Sequence, residues 1–240
     1  MNIKKLLAAP LALLMSTGVF AADVPEGLQS VLNQYFPPGA IDEVNTSVLP
    51  GFHEIVAGTK IYYISSDGKY VINGKIIDIA RRADIAEERL NGLRKTALDK
   101  LSESEMISYG DAPADHTVTV FTDVDCGYCQ KFHDELQSYL DAGLRVRYIL
   151  YPRTPPGSAS FRKAVGVWCA DDRKEALSLA KSRQPIDQKS CANPVAANQD
   201  AGADFGITGT PTIVLPNGEV IPGYVPASRL APIVKEAARG

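Results

Sequence analysis

The sequence predicts a mixed α+β and α/β chain of two domains. A small antiparallel β-sheet domain occupies residues 22–83, a helix and hinge occupy 84–113, and a domain of mixed strands and helices occupies 114–240. Three observations carry the prediction. Residues 41–79 run as consecutive short extended segments punctuated by Asp67-Gly68 and Asn73-Gly74, dipeptides that supply the positive φ angles of tight hairpin turns. Residues 84–101 repeat apolar positions at helical spacing within a largely charged segment. From Thr117 onward strands and helical patterns are mixed, which is a different kind of domain.

Taken in order, the first 21 residues read as a secretory leader. Lys4 and Lys5 precede the apolar stretch Leu6 to Met15, and Val19-Phe20-Ala21 offers a cleavage point after Ala21. The apolar core is too short to span a bilayer and contains Pro10. Cleavage removes two lysines and no acid, moving the formal net charge from −3 to −5, a mild acidity that argues against a nucleic-acid partner.

Gly27 to Phe36 reads as a short amphipathic helix ended by Pro37-Pro38. Extended runs follow at Ile41–Val48, His53–Ala57, Lys60–Ser65, Tyr70–Ile72 and Lys75–Ile79. A unit of about 60 residues buries only about 60% of the surface its unfolded chain exposes, so self-association is a reasonable role for it, with a small independent domain as the alternative. Asp84 and Glu87 form a capping-box pair at the start of a helix through Leu101. Its narrow stripe of Ile85, Leu90, Leu93, Ala97 and Leu101 suits either an exposed connector or a helix packed on one domain. Ser104 to Pro113 then reads as a polar hinge.

The chemistry concentrates at Cys126-Gly127-Tyr128-Cys129. Thr117 to Thr122 alternates as a strand, and Phe132, Leu136 and Leu140 recur with helical spacing, so the Cys-x-x-Cys opens a helix. Unpaired N–H groups and the positive helix end favour a thiolate on Cys126. Cys129, one turn further in, is placed to resolve a disulfide formed by Cys126. This is the geometry of reversible thiol–disulfide exchange, which needs no cofactor. Beyond it lie a strand at Arg145–Tyr151, helical patterns around Phe161–Cys169 and Glu175–Lys181, a hairpin turning at Asn217-Gly218, and a helix from Ala227 to Ala238. That order is the thioredoxin layout with a helical insertion.

Four cysteines allow three pairings. With Cys126 and Cys129 as the exchange pair, Cys169 and Cys191 remain, and Cys169 on the apolar face beside Trp168 suits a structural bridge; a second exchange pair is the rival reading. Cys126, Cys129 and His133 also spell a partial zinc pattern, but His53 and His116 are not spaced to complete it, so no metal is expected and His133 reads as a helix-face residue near the site. Pro211 at a strand start marks an edge or a cis bond.

Phe121 through Cys129, the later Cys169 and Cys191, and Gly206 to Pro211 followed by Val220 to Tyr224 together resemble the DsbC/DsbG family of periplasmic protein disulfide isomerases. The resemblance spans nearly all of the exported chain and includes the Asp67-Gly68 hairpin. It implies a cystatin-like N-terminal dimerisation sheet and a V-shaped homodimer with two thioredoxin-like domains facing a wide cleft for misfolded, disulfide-containing secreted proteins. It also implies a cis bond at Thr210-Pro211, substrate pairing to the Thr210 backbone, active-site support from Gly127, Tyr128, Thr210 and Pro211, and reduction by a membrane protein of the DsbD type. Gly127, where the DsbG branch usually has proline, favours the DsbC branch. A DsbA-type oxidase and a holdase chaperone are the rivals; the N-terminal sheet argues against the first, and the cysteine pair against the second as a sole role.

Overall fold

A computed structural model of the chain describes residues 26–113 and 116–239. The expected leader over residues 1–21 lies outside them. The chain divides into two compact units, the first built from residues 26–57 and 62–72, the second from the remainder.

In the first unit, helix α1 (Glu26–Tyr35) is followed by strands β1 (Glu43–Thr46), β2 (Phe52–Ala57), β3 (Lys60–Ser65) and β4 (Val71–Ile72), hydrogen-bonded in the order β1-β2-β3-β4. Adjacent pairs such as β1–β2 and β3–β4 run antiparallel. Leu28, Leu32 and Phe36 from α1 and the residue after it close one face of the sheet against Val44, Ile55 and Ile64. The i, i+4, i+8 spacing of the three α1-side residues is what turns one helical stripe onto the sheet. Gly68 is required at its turn: its φ is +70°, and a Cβ there would lie 2.7 Å from Val31 Cγ2.

The second hairpin signal behaves differently. Gly74 has no positive φ, and the run after it leaves the sheet: β5 (Ile77–Asp78) pairs instead with β6 (Ala83–Asp84) in a separate two-stranded ribbon. Asp84 then caps α2 (Ile85–Lys100) by accepting from the Glu87 N–H at 3.3 Å. Both ends of α2 are tied within the second unit. Arg81 of the ribbon pairs with Asp78 and Glu88, and Leu98 is buried with Met106, Phe121, Ile149, Phe205, Ile207 and Val214. Gly218, at φ +87° in the last hairpin, sits so close to α2 that a Cβ would fall 2.0 Å from the Asn91 carbonyl oxygen. The polar hinge expected over Ser104–Pro113 holds a 3-10 turn and the edge strand β7 (Ile107–Tyr109). Three residues are too few to display a period, and buried Ile107 is what pins them.

The main sheet of the second unit has the order β11-β10-β8-β9-β7, from β8 (Thr117–Thr122), β9 (Arg145–Leu150), β10 (Thr212–Val214), β11 (Val220–Pro222) and β7. Only the central β8–β9 pair is parallel. Alternation along β8 serves two cores: Val118 and Val120 face one, Phe121 the other. The first core takes its cover from α3 (Gly127–Asp134), α4 (Leu136–Asp141), α5 (Ala159–Trp168), α6 (Arg173–Lys181), α7 (Val195–Asp204) and α8 (Ala227–Ala237), through Phe132, Tyr139, Trp168, Leu177, Val195 and Leu230 among others. The single helix expected over Gln130–Leu140 is broken at Glu135, whose φ and ψ are −93° and 11°. Helix α7 has no counterpart in the sequence reading, because its Ala-, Asn- and Gln-rich stretch lacks an apolar stripe.

Cys169 and Cys191 are joined by a disulfide across a 22-residue separation. It ties the end of α5 to the loop before α7. Replacing both by alanine removes the loop closure from the unfolded chain and should cost about 3 kcal/mol on the chain-entropy account. Urea unfolding measures this; an unchanged midpoint would contradict it.

His133 lies on α3, as its spacing predicts. It is buried, with Nε2 3.0 Å from Ser178 Oγ and Nδ1 3.4 Å from Tyr148 Oη. Burial, and then the charge of Lys181, push its pKa from the ordinary 6.5 down to about 4. The unfolded chain therefore binds a proton that the folded chain refuses. The contribution of His133 is complete above pH 6.5 and is lost as pH falls from there through about 4, an effect on the order of 3 kcal/mol. Denaturation of the wild type and His133→Gln at pH 7 and pH 4.5 should show the wild type losing more stability, by on the order of 2 kcal/mol. Parallel profiles would count against the buried neutral histidine.

Candidate active site

Strand β8 ends at Thr122, and the chain crosses Asp123-Val124-Asp125 before α3 starts. Asp123 fixes that crossing. Its buried carboxylate accepts from the Asp125 N–H at 2.9 Å, Ser160 Oγ at 2.9 Å, and the Arg153 N–H and Nε at 3.1 and 3.0 Å. Burial alone would favour the neutral acid, but these donors outweigh it and hold the pKa below the usual carboxylate value. Asp123 is thus an ionised staple between the β8–α3 and β9–α5 loops. Sequence reading passed over it as part of a motif; an acid at a strand end just before Cys-x-x-Cys was the available signal.

Cys126 stands at the N-cap of α3, its carbonyl accepting from Gln130 N–H at 2.9 Å. Cys126 is 5% exposed and Cys129 not at all, and both are free thiols. The bond before Pro211 is cis, and the Thr210 carbonyl lies 3.2 Å from Cys126 Sγ as an acceptor for the thiol. The Thr210 hydroxyl is buried and has no hydrogen-bond partner among the described residues.

The two sulfurs are displaced in opposite directions. For Cys126, burial is the largest influence and acts upward. Thr210, the Cys129 N–H, the Cys129 thiol and the Arg153 charge together outweigh it and hold the pKa below the ordinary value. For Cys129, burial prevails and pushes the thiol up, against the Lys181 charge, the Asp123 N–H, and the Thr210 and Thr122 hydroxyls. An outer thiol that ionises readily beside an inner one that keeps its proton is an arrangement for stepwise exchange.

Of the remaining expected residues, Tyr128 is 66% exposed and stacks on Tyr224 at 6.5 Å between ring centroids. Lys131 Nζ lies 4.6 Å from the Tyr224 ring centre, and the Tyr224 hydroxyl donates to Glu135. An added Cβ at Gly127 would meet nothing within 4 Å, so packing does not demand glycine between the cysteines. Both ring nitrogens of His133 face Tyr148 and Ser178 rather than the thiols. Lys181, read from sequence only as part of a helical segment, is buried beneath the site.

Residues 19–87 match the disulfide bond isomerase protein N-terminal domain, and residues 104–238 match a thioredoxin-like domain. The thiol:disulfide interchange protein DsbC of Dickeya dadantii is 32% identical over 227 residues, covering 95% of this chain and 93% of its own. DsbC of Pasteurella multocida is 33% identical over 97% of this chain and 100% of its own, and that of Escherichia coli K12 is 31% identical over 81% of each. The crystal structure of a disulfide interchange protein from Neisseria gonorrhoeae superposes with a TM-score of 0.51 at 31% identity, covering 57% of this chain and 99% of that one. The expected plan of a small N-terminal sheet and a thioredoxin-like domain with helical insertion is borne out. Because the identity runs through the N-terminal sheet as well as the thioredoxin-like half, the chain belongs to the DsbC family of thiol:disulfide interchange proteins.

Proposed function

We propose that this protein is a periplasmic disulfide isomerase and reductase in which Cys126 is the nucleophile and Cys129 the resolving thiol. The opposite displacement of the two thiols carries the reading. The Cys126 thiolate attacks one sulfur of a substrate disulfide, forming a mixed disulfide and releasing the other sulfur as a thiolate. That thiolate can attack a second disulfide of its own chain, and the last exchange returns Cys126 as thiolate: bonds are rearranged with no net electron transfer. Alternatively Cys129 loses its proton and attacks Cys126 Sγ, so the substrate leaves reduced and the protein leaves oxidised by two electrons.

The Thr210-Pro211 segment receives the substrate backbone. Its Thr210 carbonyl accepts from the Cys126 thiol at 3.2 Å, and formation of the mixed disulfide removes that proton and leaves the carbonyl open to a substrate N–H. Gly127 and Tyr128 border the nucleophile, with exposed Tyr128 offering apolar contact. The Cys169–Cys191 bridge, between α5 and the loop before α7, has a structural role.

Isomerisation requires Cys126 to be reduced in an oxidising compartment, so a membrane reductase of the DsbD type supplies the electrons. Substrates are misfolded secreted proteins. The leader over residues 1–21 directs export, and no helix among the described residues is long and apolar enough to cross a membrane. Residues 22–83 serve as the dimerisation domain. In support, β4 is an edge strand of the first unit's sheet, and Tyr70 and Val71 there are exposed.

Refolding of a scrambled, multi-disulfide protein tests the reading. Full-length protein should restore activity in the presence of a small thiol, and Cys126→Ser should not. A chain lacking residues 22–83 should sediment as a monomer and still reduce a small disulfide, with its isomerase yield sharply reduced. Equal refolding by the truncated monomer would overturn the dimeric isomerase reading.

A further inference from the structure

Helix α6 ends on an arginine where its geometry calls for glycine. Ser182 caps the helix, the Arg183 N–H bonds the Ala180 carbonyl at 3.1 Å, and the Gln184 N–H bonds the Leu179 carbonyl at 2.9 Å. This pair of bonds needs a left-handed residue just after the cap, a place that glycine usually fills. Here it is Arg183, at φ +58°, which with Arg82 is one of two non-glycine residues of positive φ among the described residues. A side chain makes that backbone conformation unfavourable, so its retention points to a use beyond the helix end.

The Arg183 side chain reaches α3. Its Nε donates to Gln130 Oε1 at 3.2 Å, and Gln130, itself buried, donates from Nε2 to the Val124 carbonyl at 3.1 Å. The Gln130 N–H bonds the Cys126 carbonyl at 2.9 Å. One buried glutamine thus holds the chain at Val124 and at Cys126, across the turn that delivers the sulfur. With the arginine on the oxygen end of the amide, the NH2 end is left for Val124. The Val124 carbonyl, occupied in this way, cannot swing its negative end toward the start of α3, where N–H groups favour a thiolate.

We propose that Arg183 and Gln130 are positioning residues for Cys126: the arginine orients the glutamine amide, and the amide fixes the turn that sets Cys126 Sγ 3.2 Å from the Thr210 carbonyl. The inference rests on the assignment of Cys126 as nucleophile. Neither side chain takes part in the exchange of bonds; both act through the backbone at Val124 and Cys126. The charged groups around the sulfur have partners of their own. Arg153 of the β9–α5 loop pairs with Asp123, Lys163 of α5 pairs with Asp125, and Lys181 of α6 donates to Thr122 and to the Asp123 carbonyl, while Cys129 is the neighbouring thiol.

Stopped-flow reaction of the reduced full-length protein with the aromatic disulfide DTNB tests this, because the first thionitrobenzoate released reports attack by Cys126. Arg183→Gly is the deciding variant. Glycine suits the left-handed position, so the melting temperature should be kept, while the first release should slow about three-fold and its pH midpoint should move upward by about half a unit. Gln130→Met leaves the Val124 carbonyl without its donor and should slow the first release about five-fold. The double variant should be no slower than Gln130→Met alone, since the arginine acts only through the glutamine. A wild-type rate and midpoint in Arg183→Gly overturns the proposal, as does a double variant whose losses multiply. Slowing in Arg183→Gly that comes with a lower melting temperature also overturns it, as the mark of a merely structural bond. Should Gln130→Met fail to fold, Arg183→Gly decides by the same criteria. A first release that survives Cys126→Ser would sink the underlying cysteine assignment instead.

Discussion

The catalytic end of the second unit hangs from the Asp123 carboxylate. Four donors converge on it from two loops and α5, and each charge-assisted bond of this kind is worth about 1.5–3 kcal/mol net. That is enough to keep a carboxylate ionised inside the protein. It also fixes the path of the chain between β8 and α3, so Cys126 meets the helix start with its sulfur toward the Thr210 carbonyl. Arg153, drawn in by Asp123, adds its charge to the same sulfur.

The chemistry of the two thiols follows from which of two effects prevails at each. Both are taken from water, which disfavours a thiolate. At Cys126 the donors outnumber what burial costs; at Cys129, deeper by one helical turn, burial prevails even with a lysine nearby. A single strand-to-helix junction thus produces two sulfurs of unlike acidity.

The parts of this design that depend on local rules were legible in the sequence. The Cys-x-x-Cys at a strand-to-helix junction, the Asp84 cap and the Asp67-Gly68 turn all act within a few residues. Asn73-Gly74 obeys the same local rule and yet makes no tight hairpin, because β5 finds its partner in β6 instead of β4. Lys181 shows the limit most clearly. In the last turn of α6 a lysine complements the helix dipole and reads as a solvated end, and only the packing of α6 against β8 and α3 buries it. The burial of His133 was hidden for the same reason. The break at Glu135 and the short strand β7 were hidden because the contacts that fix them come from elsewhere in the chain.

The account stands on Cys126 being the more acidic and more reactive of two nearly buried thiols. The direct measurement is the rate of iodoacetamide alkylation of the reduced protein across pH, with the modified cysteine located by peptide mass spectrometry. The account predicts that Cys126 reacts alone, with a midpoint below that of an ordinary cysteine, while Cys129 stays unmodified. Alkylation of Cys129 at a comparable rate, or a Cys126 midpoint at or above the ordinary value, would contradict it.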